Sequence, residues 1–264
     1  MIWQNTLIDP RMRLARGDTN EDIQNEIRRK RPLFEAASAI VVSTRAERQR
    51  LNMEYSFSSG KVYTIPFFLP DIIAVPSSSL IKHDRPARVQ ILFVGNPARL
   101  KRLPLLLEAL ELLPTSVRQR LELAIVSRFS DGAVPIHGSF PIRVLGGLPH
   151  SEVQKEMRRA HILVNPSSYE TFGFVFLEAQ AAGAVAVGPS WEAQNEIFDG
   201  GRCGVMLRPE VTPQQLSSIL ADLICNDDER RALASNALTN YHRTYDSKLV
   251  GQQLISLITQ VAKV

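Results

Sequence analysis

The chain has only two cysteines in 264 residues, Cys203 and Cys225. Their spacing matches no metal-ligand pattern, and two thiols cannot make a disulfide-stapled scaffold. No apolar run approaches the ~18 residues that a transmembrane helix needs. The amino terminus, polar and basic through Arg11, Arg13 and Arg16, does not read as a secretory leader. A cytoplasmic, reduced protein is therefore expected, with a peripheral position at a membrane left open. Charge of one sign is scarce as well: 31 Lys and Arg against 27 Asp and Glu leave a net +4. That balance permits a phosphorylated ligand or an anionic surface, scattered arginines being the plainer account, and no nucleic-acid partner is expected. Internal repeats and low-complexity tracts are missing too. What remains, 44% hydrophobic and 22% charged residues, is ordinary globular usage, long enough for about one and a half α/β domains.

The most informative stretch runs from Val164 to Gly183. Ile162-Leu163-Val164 reads as a short buried strand, stopped by Asn165 and Pro166. A loop through Thr171 leads to a helix that starts near Phe172-Gly173, runs to Ala182 and ends at Gly183, a residue suited to a left-handed cap. Ala184 to Val187 follow as another buried strand. The loop of such a βαβ unit lies at the carboxyl end of a strand, where open α/β sheets bind ligands. Two carboxylates mark it, Glu170 before the helix and Glu178 within. Val175, Phe176, Leu177, Ala179, Ala181 and Ala182 make the helix apolar on nearly every face, hence buried. A buried carboxylate demands hydrogen-bond donors, and the vicinal hydroxyls of a sugar would supply them. The amides from Thr171 to Phe174, with the helix dipole, suit a diphosphate. Glu178 lies about 7 Å along the helix at 1.5 Å per residue, a separation that suits a diphosphate and its ribose. The plainer alternative makes Glu170 a helix-start anion and pairs Glu178 with a nearby Arg.

P-S-x-x-E-x-F-G-x-x-x-x-E-A, with Glu170 and Glu178 in an E-x7-E arrangement, resembles the donor-site motif of retaining GT-B glycosyltransferases, above all the group 1 (GT4) family. The resemblance spans about Val89 to Tyr245 and thins out back to about Ala36. It implies that Glu170 contacts the donor sugar, that Phe172-Gly173 offers backbone to sugar and phosphate, and that Glu178 holds the ribose hydroxyls. The loop from Gly95 to Arg102 resembles the family's G-R-x-x-x-x-K-G, whose Arg and Lys neutralise the donor diphosphate. Lys101 matches the Lys, while Asn96 replaces the Arg and Arg102 the second Gly. Arg99 would serve from a nearby position, an Arg fork being carried on a flexible stem; a solvated basic loop is the alternative. Ile142 to Gly147 resembles the strand whose following loop cradles the base, which sets Leu148 beside it. Ser127 to Gly132 departs from the family's Gly-rich turn. Gly188 to Ile197 stands in place of its G-G-x-x-E-I loop: Glu196-Ile197 match, the paired glycines are missing, and Trp191 is close by. His150 and His161 have no recognisable catalytic partner and are expected in capping or surface roles.

Along the rest of the chain, Met1 to Thr19 has no clear period. Asn20 to Arg31 reads as a solvated helix interrupted by Pro32, with Leu33 to Ala37 able to resume it. Ala39 to Ser43 is a strand, Thr44 caps a helix from Arg45 to about Tyr55, and Val62 to Ile65 is another strand. Further strands are expected at Val89 to Val94, Leu121 to Ser127 and Gly204 to Leu207. Helices are expected from Leu103 to Leu113, from a Ser151 cap to about Arg159, and at Pro213 to Cys225, Asp228 to Tyr245 and Ser247 to Val261. The expected division is 1–69, a remnant of a GT-B amino-terminal, acceptor-side domain; 70–88, a linker; 89–245, a complete nucleotide-sugar-binding Rossmann-like domain; and 246–264, a carboxy-terminal crossover helix.

The expected fold class is α/β and GT-B-like. The resemblance implies transfer of a sugar from a nucleoside-diphosphate donor to an acceptor (glycan, lipid or small molecule) with retained configuration. It implies no cofactor and no metal. Lys101 and Glu170 take the catalytic positions, and Gly95, Arg99, Leu148, Thr171, Phe172, Gly173 and Glu178 join them in donor binding. Lys101 and the amides after Glu170 would stabilise the departing diphosphate electrostatically. Roughly two-thirds of a GT-B amino-terminal domain has no counterpart here, taking a domain as ~100–200 residues. A non-catalytic donor-binding half or an inactive remnant, needing a partner chain or a homo-oligomer, therefore stays open, as does a nucleotide-sugar epimerase.

Overall fold

The computed structural model describes residues 17–56, 60–69, 87–96, 99–128, 136–168 and 170–262, with the backbone alone at 2, 3 and 99. Residues 70–86 of the expected linker, the centre of the turn after Ser127, Tyr169 and the Arg99 side chain lie outside the described residues. In chain order the elements are β1 (Ile2–Trp3), α1 (Asn20–Ala36), β2 (Ile40–Val42), α2 (Arg45–Tyr55), β3 (Val62–Thr64), β4 (Val89–Val94), α3 (Leu103–Glu111), α4 (Thr115–Arg118), β5 (Leu121–Val126), β6 (Ile142–Gly146), α5 (His150–Arg159), β7 (Ile162–Val164), α6 (Phe174–Ala181), β8 (Val185–Pro189), α7 (Glu192–Ile197), β9 (Val205–Leu207), α8 (Pro213–Cys225), α9 (Asp227–Thr244) and α10 (Ser247–Val261). They fall into two units, Met1–Pro70 with Arg243–Val264, and Asp71–His242.

In the first unit three parallel strands lie in the order β1-β2-β3. Neighbouring residues of a strand face opposite sides. Accordingly Ile40 and Val42 pack with Phe34, Leu51 and Tyr55 of α1 and α2, while Val41 packs with Val250 and Leu257 of α10. Thr44 opens α2 by accepting from the Glu47 amide at 3.0 Å, and Glu47 accepts in turn from the Ser43 N–H and hydroxyl at 2.9 and 2.6 Å.

Two expectations fail in this unit. Pro32 does not interrupt the first helix but lies inside α1. An interior proline costs roughly 3 kcal/mol. Two residues later Phe34 is fully buried and meets the Tyr55 ring edge-on at 4.9 Å. Burying such a ring contributes about 1.5–3 kcal/mol, which offsets much of that cost and draws the last turn toward α2. The second is β1, which occurs in a stretch without hydrophobic period and is a two-residue strand held by its register against Ile40 and Val41.

The second unit holds a six-stranded parallel sheet in the order β6-β5-β4-β7-β8-β9. The chain starts at the centre with β4, goes outward through β5 and β6, then returns to the other side of β4 with β7. The order therefore reverses between β4 and β7, which leaves a crevice beyond their carboxyl ends. Val89, Ile91 and Phe93 share a core with Leu103, Leu106 and Leu110 of α3 and Leu216, Leu220 and Leu223 of α8. Leu92, of opposite parity, is fully buried outside that cluster. A sheet covered on both faces explains why its central strands read as unbroken apolar runs.

Local boundaries differ from expectation in two places near that crevice. α5 begins at His150 behind Pro149, so Ser151 sits inside the first turn and does not cap it. Glu192–Ile197, which stands where the resemblance places a loop, is the helix α7. With Glu192 and Ala193 at its start, this segment carries helix formers where a loop would need flexible residues.

Candidate functional site

At the strand reversal, Asn165 follows β7 directly and is completely buried. Its side-chain amide donates to the Val94 carbonyl at 2.7 Å, and its Oδ1 accepts from the Val94 N–H at 3.3 Å. A single side chain thus ties β7 to the end of β4 where their own ladder stops. The sequence reading took Asn165 only as a strand stop; its sole signal is a polar residue embedded between an apolar run and a proline.

Beyond β4 the chain passes Gly95, whose N–H donates to the Val126 carbonyl at 3.0 Å, and makes a single 3-10 turn at Arg99–Lys101. The Lys101 stem lies over Gly95, so that a methyl group there would sit 3.4 Å from Lys101 Cγ. Arg102 follows in the left-handed region, with φ 51° and ψ 40°, at a cost of about 1–2 kcal/mol for a residue with a side chain. This is the place where the resemblance had led to a glycine. The Arg102 guanidinium donates to the Pro209 and Val211 carbonyls at 3.0 and 3.1 Å. Hydrogen bonds from a charged donor contribute about 1.5–3 kcal/mol each, which more than offsets the strain.

The loop after β7 is fastened to this turn twice. The Ser168 N–H donates to the Leu100 carbonyl at 2.9 Å, and Lys101 Nζ donates to Glu170 Oε2 at 2.5 Å. The Lys101 and Glu170 side chains are 26% and 14% exposed, so the pair is half-buried yet reachable. Gly173, with φ +85°, then starts α6 without any side-chain cap. Here the left-handed backbone asks for glycine, and space does too: a methyl group would sit 2.6 Å from the Phe176 ring. The same ring abuts Gly188 on β8, where a methyl group would be 2.4 Å away, and it meets Phe198 edge-on at 5.3 Å.

Glu178 lies in α6 between buried neighbours. Burial pushes its carboxyl above the usual carboxylate range, and a hydrogen bond with His150 works against that. His150 Nε2 stands 3.0 Å from Glu178 Oε1. The partner of Glu178 is therefore the first residue of α5 and not an arginine; His150 is exposed, as expected, and it also faces Glu178. His161 has a structural duty as well, its Nδ1 accepting from the Gln90 N–H at 3.0 Å. Two residues past Glu178, the buried Gln180 donates to the Ile197 carbonyl at 2.7 Å, and Asn240 donates to the same carbonyl at 3.1 Å. These bonds anchor α6 to the end of α7 and to α9.

The structure thus brings Lys101, Glu170 and the Gly95 turn together, and places Phe172 and Gly173 at the start of the helix that carries Glu178. Thr171 is exposed and Leu148 half-buried between β6 and α5; no described contact joins Leu148 to the pair. Among the described residues no group of three or more His, Cys, Asp or Glu side chains could hold a metal ion. None of the described helices is long and apolar enough to cross a membrane.

A family model described as glycosyl transferases group 1 matches residues 81–239. A D-inositol 3-phosphate glycosyltransferase of Corynebacterium jeikeium is 28% identical over 85% of this chain, which covers 58% of that protein. One of the same name from Thermobifida fusca is 32% identical over 67% of the chain and 44% of its own length. The chain therefore spans about half the length of these curated relatives. Among solved structures, sucrose-phosphate synthase of Thermosynechococcus elongatus superposes with a TM-score of 0.74 at 16% identity, over 99% of this chain and 67% of that one. Anabaena HepE, in a complex with UDP and glucose, gives 0.71 at 14% identity, over 98% and 71%. These likenesses establish a GT-B-type α/β fold.

Proposed function

The chain belongs to the group 1 glycosyltransferases, and on that footing we propose that it binds a nucleoside-diphosphate sugar at the β4–β7 crevice and serves its transfer with retained configuration. One observation carries this reading: Lys101 and Glu170, from loops 69 residues apart, meet at 2.5 Å beside the uncapped start of α6. A diphosphate would draw Lys101 away from Glu170, since it carries more charge than one carboxylate. Glu170 is thereby released toward the sugar, and the amino end of α6 supplies further positive potential. In the transfer the bond from the anomeric carbon to the diphosphate oxygen breaks, and a bond to the acceptor oxygen forms on the same face. The acceptor's proton leaves with the diphosphate, whose charge Lys101 and the helix amides stabilise without a metal. A structure of HepE holds UDP, which makes UDP the first donor nucleotide to try. Titration calorimetry of the isolated chain with UDP, GDP and ADP is expected to show heat with at least one of them. Silence from all three at millimolar concentration would count heavily against the donor site.

Glu178 is proposed to hold the ribose hydroxyls. Glu178→Gln should then weaken nucleotide binding by about 1–3 kcal/mol, the value of a charge-assisted hydrogen bond, with little change in melting temperature. Because burial raises the Glu178 carboxyl, lowering the pH should protonate it sooner than an exposed glutamate, and binding should weaken from that higher pH downward. A large fall in melting temperature at unchanged affinity would make Glu178 a structural partner of His150 instead.

The second reading is a donor-binding half that works with another chain. It is favoured by the first unit, whose sheet has three strands among the described residues, the first of them two residues long. Assays of transfer with and without candidate partner chains separate the two readings.

A further inference from the structure

Gln194, on α7, is fully buried. Its Nε2 donates to the Phe172 carbonyl at 2.5 Å, while its Oε1, equally buried, accepts from no described group. A buried acceptor left unmade costs stability that an apolar side chain of the same reach would not. Packing alone therefore does not account for an amide here; its bond to Phe172 does. The Phe172–Gly173 peptide is trans, and in a trans peptide the carbonyl and the following N–H point to opposite sides. With the Phe172 carbonyl held toward Gln194, the Gly173 N–H is turned away from α7, and it donates to none of the described groups. The turn at Gly173 is left-handed, φ +85°, and no side chain caps the helix there.

We infer that Gln194 is a positioning residue: it fixes the Phe172–Gly173 peptide so that the Gly173 N–H is aimed at the diphosphate of the donor. The inference rests on the donor-site reading above and adds to it a residue on a separate element that never touches the ligand. Gln194 acts through one backbone group, so its effect is confined to ligands that carry the diphosphate. The bare nucleoside, held elsewhere, is indifferent to it.

The test uses the intact chain and whichever of UDP, GDP and ADP it binds, together with the corresponding nucleoside. Gln194→Met keeps the volume and removes the donor. It is expected to weaken diphosphate binding about tenfold, which is 1.4 kcal/mol, while nucleoside binding, followed by NMR at millimolar concentration, stays within about twofold. Equal losses for both ligands would make Gln194 merely structural, and an unchanged diphosphate affinity would overturn the inference outright. If the native chain binds none of the three nucleotides, the donor-site reading falls and this inference with it. If the native chain binds and the variant binds equally well, only the inference falls. Should Gln194→Met fail to fold, the native protein still decides. The Gly173 amide proton should move downfield on adding the diphosphate and stay in place on adding the nucleoside. A Gly173 resonance that ignores the diphosphate sinks the proposal.

Discussion

Replacing Lys101 with alanine is expected to weaken nucleoside-diphosphate binding by about 100-fold, or about 2.7 kcal/mol. Two effects combine. The ligand loses a charged donor, worth about 1.5–3 kcal/mol. Glu170, 14% exposed and matched at 2.5 Å in the native chain, is left as an uncompensated anion facing another. The melting temperature should hardly move, because partly exposed ion pairs contribute about 0–1 kcal/mol. Combining Lys101→Ala with Glu170→Gln should restore part of the affinity by removing the repulsion, a coupling that a double-mutant cycle measures directly. Calorimetry on the single variant is decisive: affinity within about threefold of native would mean that Lys101 does not face the diphosphate.

The largest effect on stability should come from Phe176→Ala. The ring is completely buried, closes against Gly173 and Gly188, and meets Phe198 edge-on. Truncating a buried Phe costs about 3–5 kcal/mol. The upper part of that range applies because both flanking glycines lack atoms that could fill the hole. Denaturant unfolding of the variant should show the loss as a lowered midpoint at unchanged slope. A loss below about 1.5 kcal/mol would show that the site collapses around the gap. Because the same ring supports the first turn of α6, nucleotide affinity should fall with it.

Much of the second unit was legible because a parallel sheet covered on both faces writes itself as apolar runs. Ile91-Leu92-Phe93 and Ile162-Leu163-Val164 are buried on either side, so no polar alternation blurs them. Glu178 stood out for the converse reason, a charge among apolar residues on a helix that is buried except along the side of Phe174, Val175 and Glu178 itself. Pairings across the fold could not be read in this way. Nothing near position 178 in the chain points to His150, 28 residues away, and nothing near Gln194 points to the Phe172 carbonyl. Pro32 misled because local propensity was weighed without Phe34, whose burial depends on Tyr55 of another helix. Arg102 was read as a lost glycine. Its backbone does adopt the glycine-like conformation, and the side chain that makes this costly also stabilises it through Pro209 and Val211.

That last arrangement bears on how the molecule tolerates change. Surface connections between elements ordinarily accept insertions at small cost. The connection between β9 and α8 is an exception, because its carbonyls grip Arg102, and the next residue back is Lys101. Lengthening it by even one residue at Pro209 or Val211 would release the guanidinium and leave a left-handed arginine with nothing to hold it. The lysine turn would then relax. Two loops more than a hundred positions apart behave as one mechanical piece, and a duplication or deletion in the second is inherited by the charge at the first.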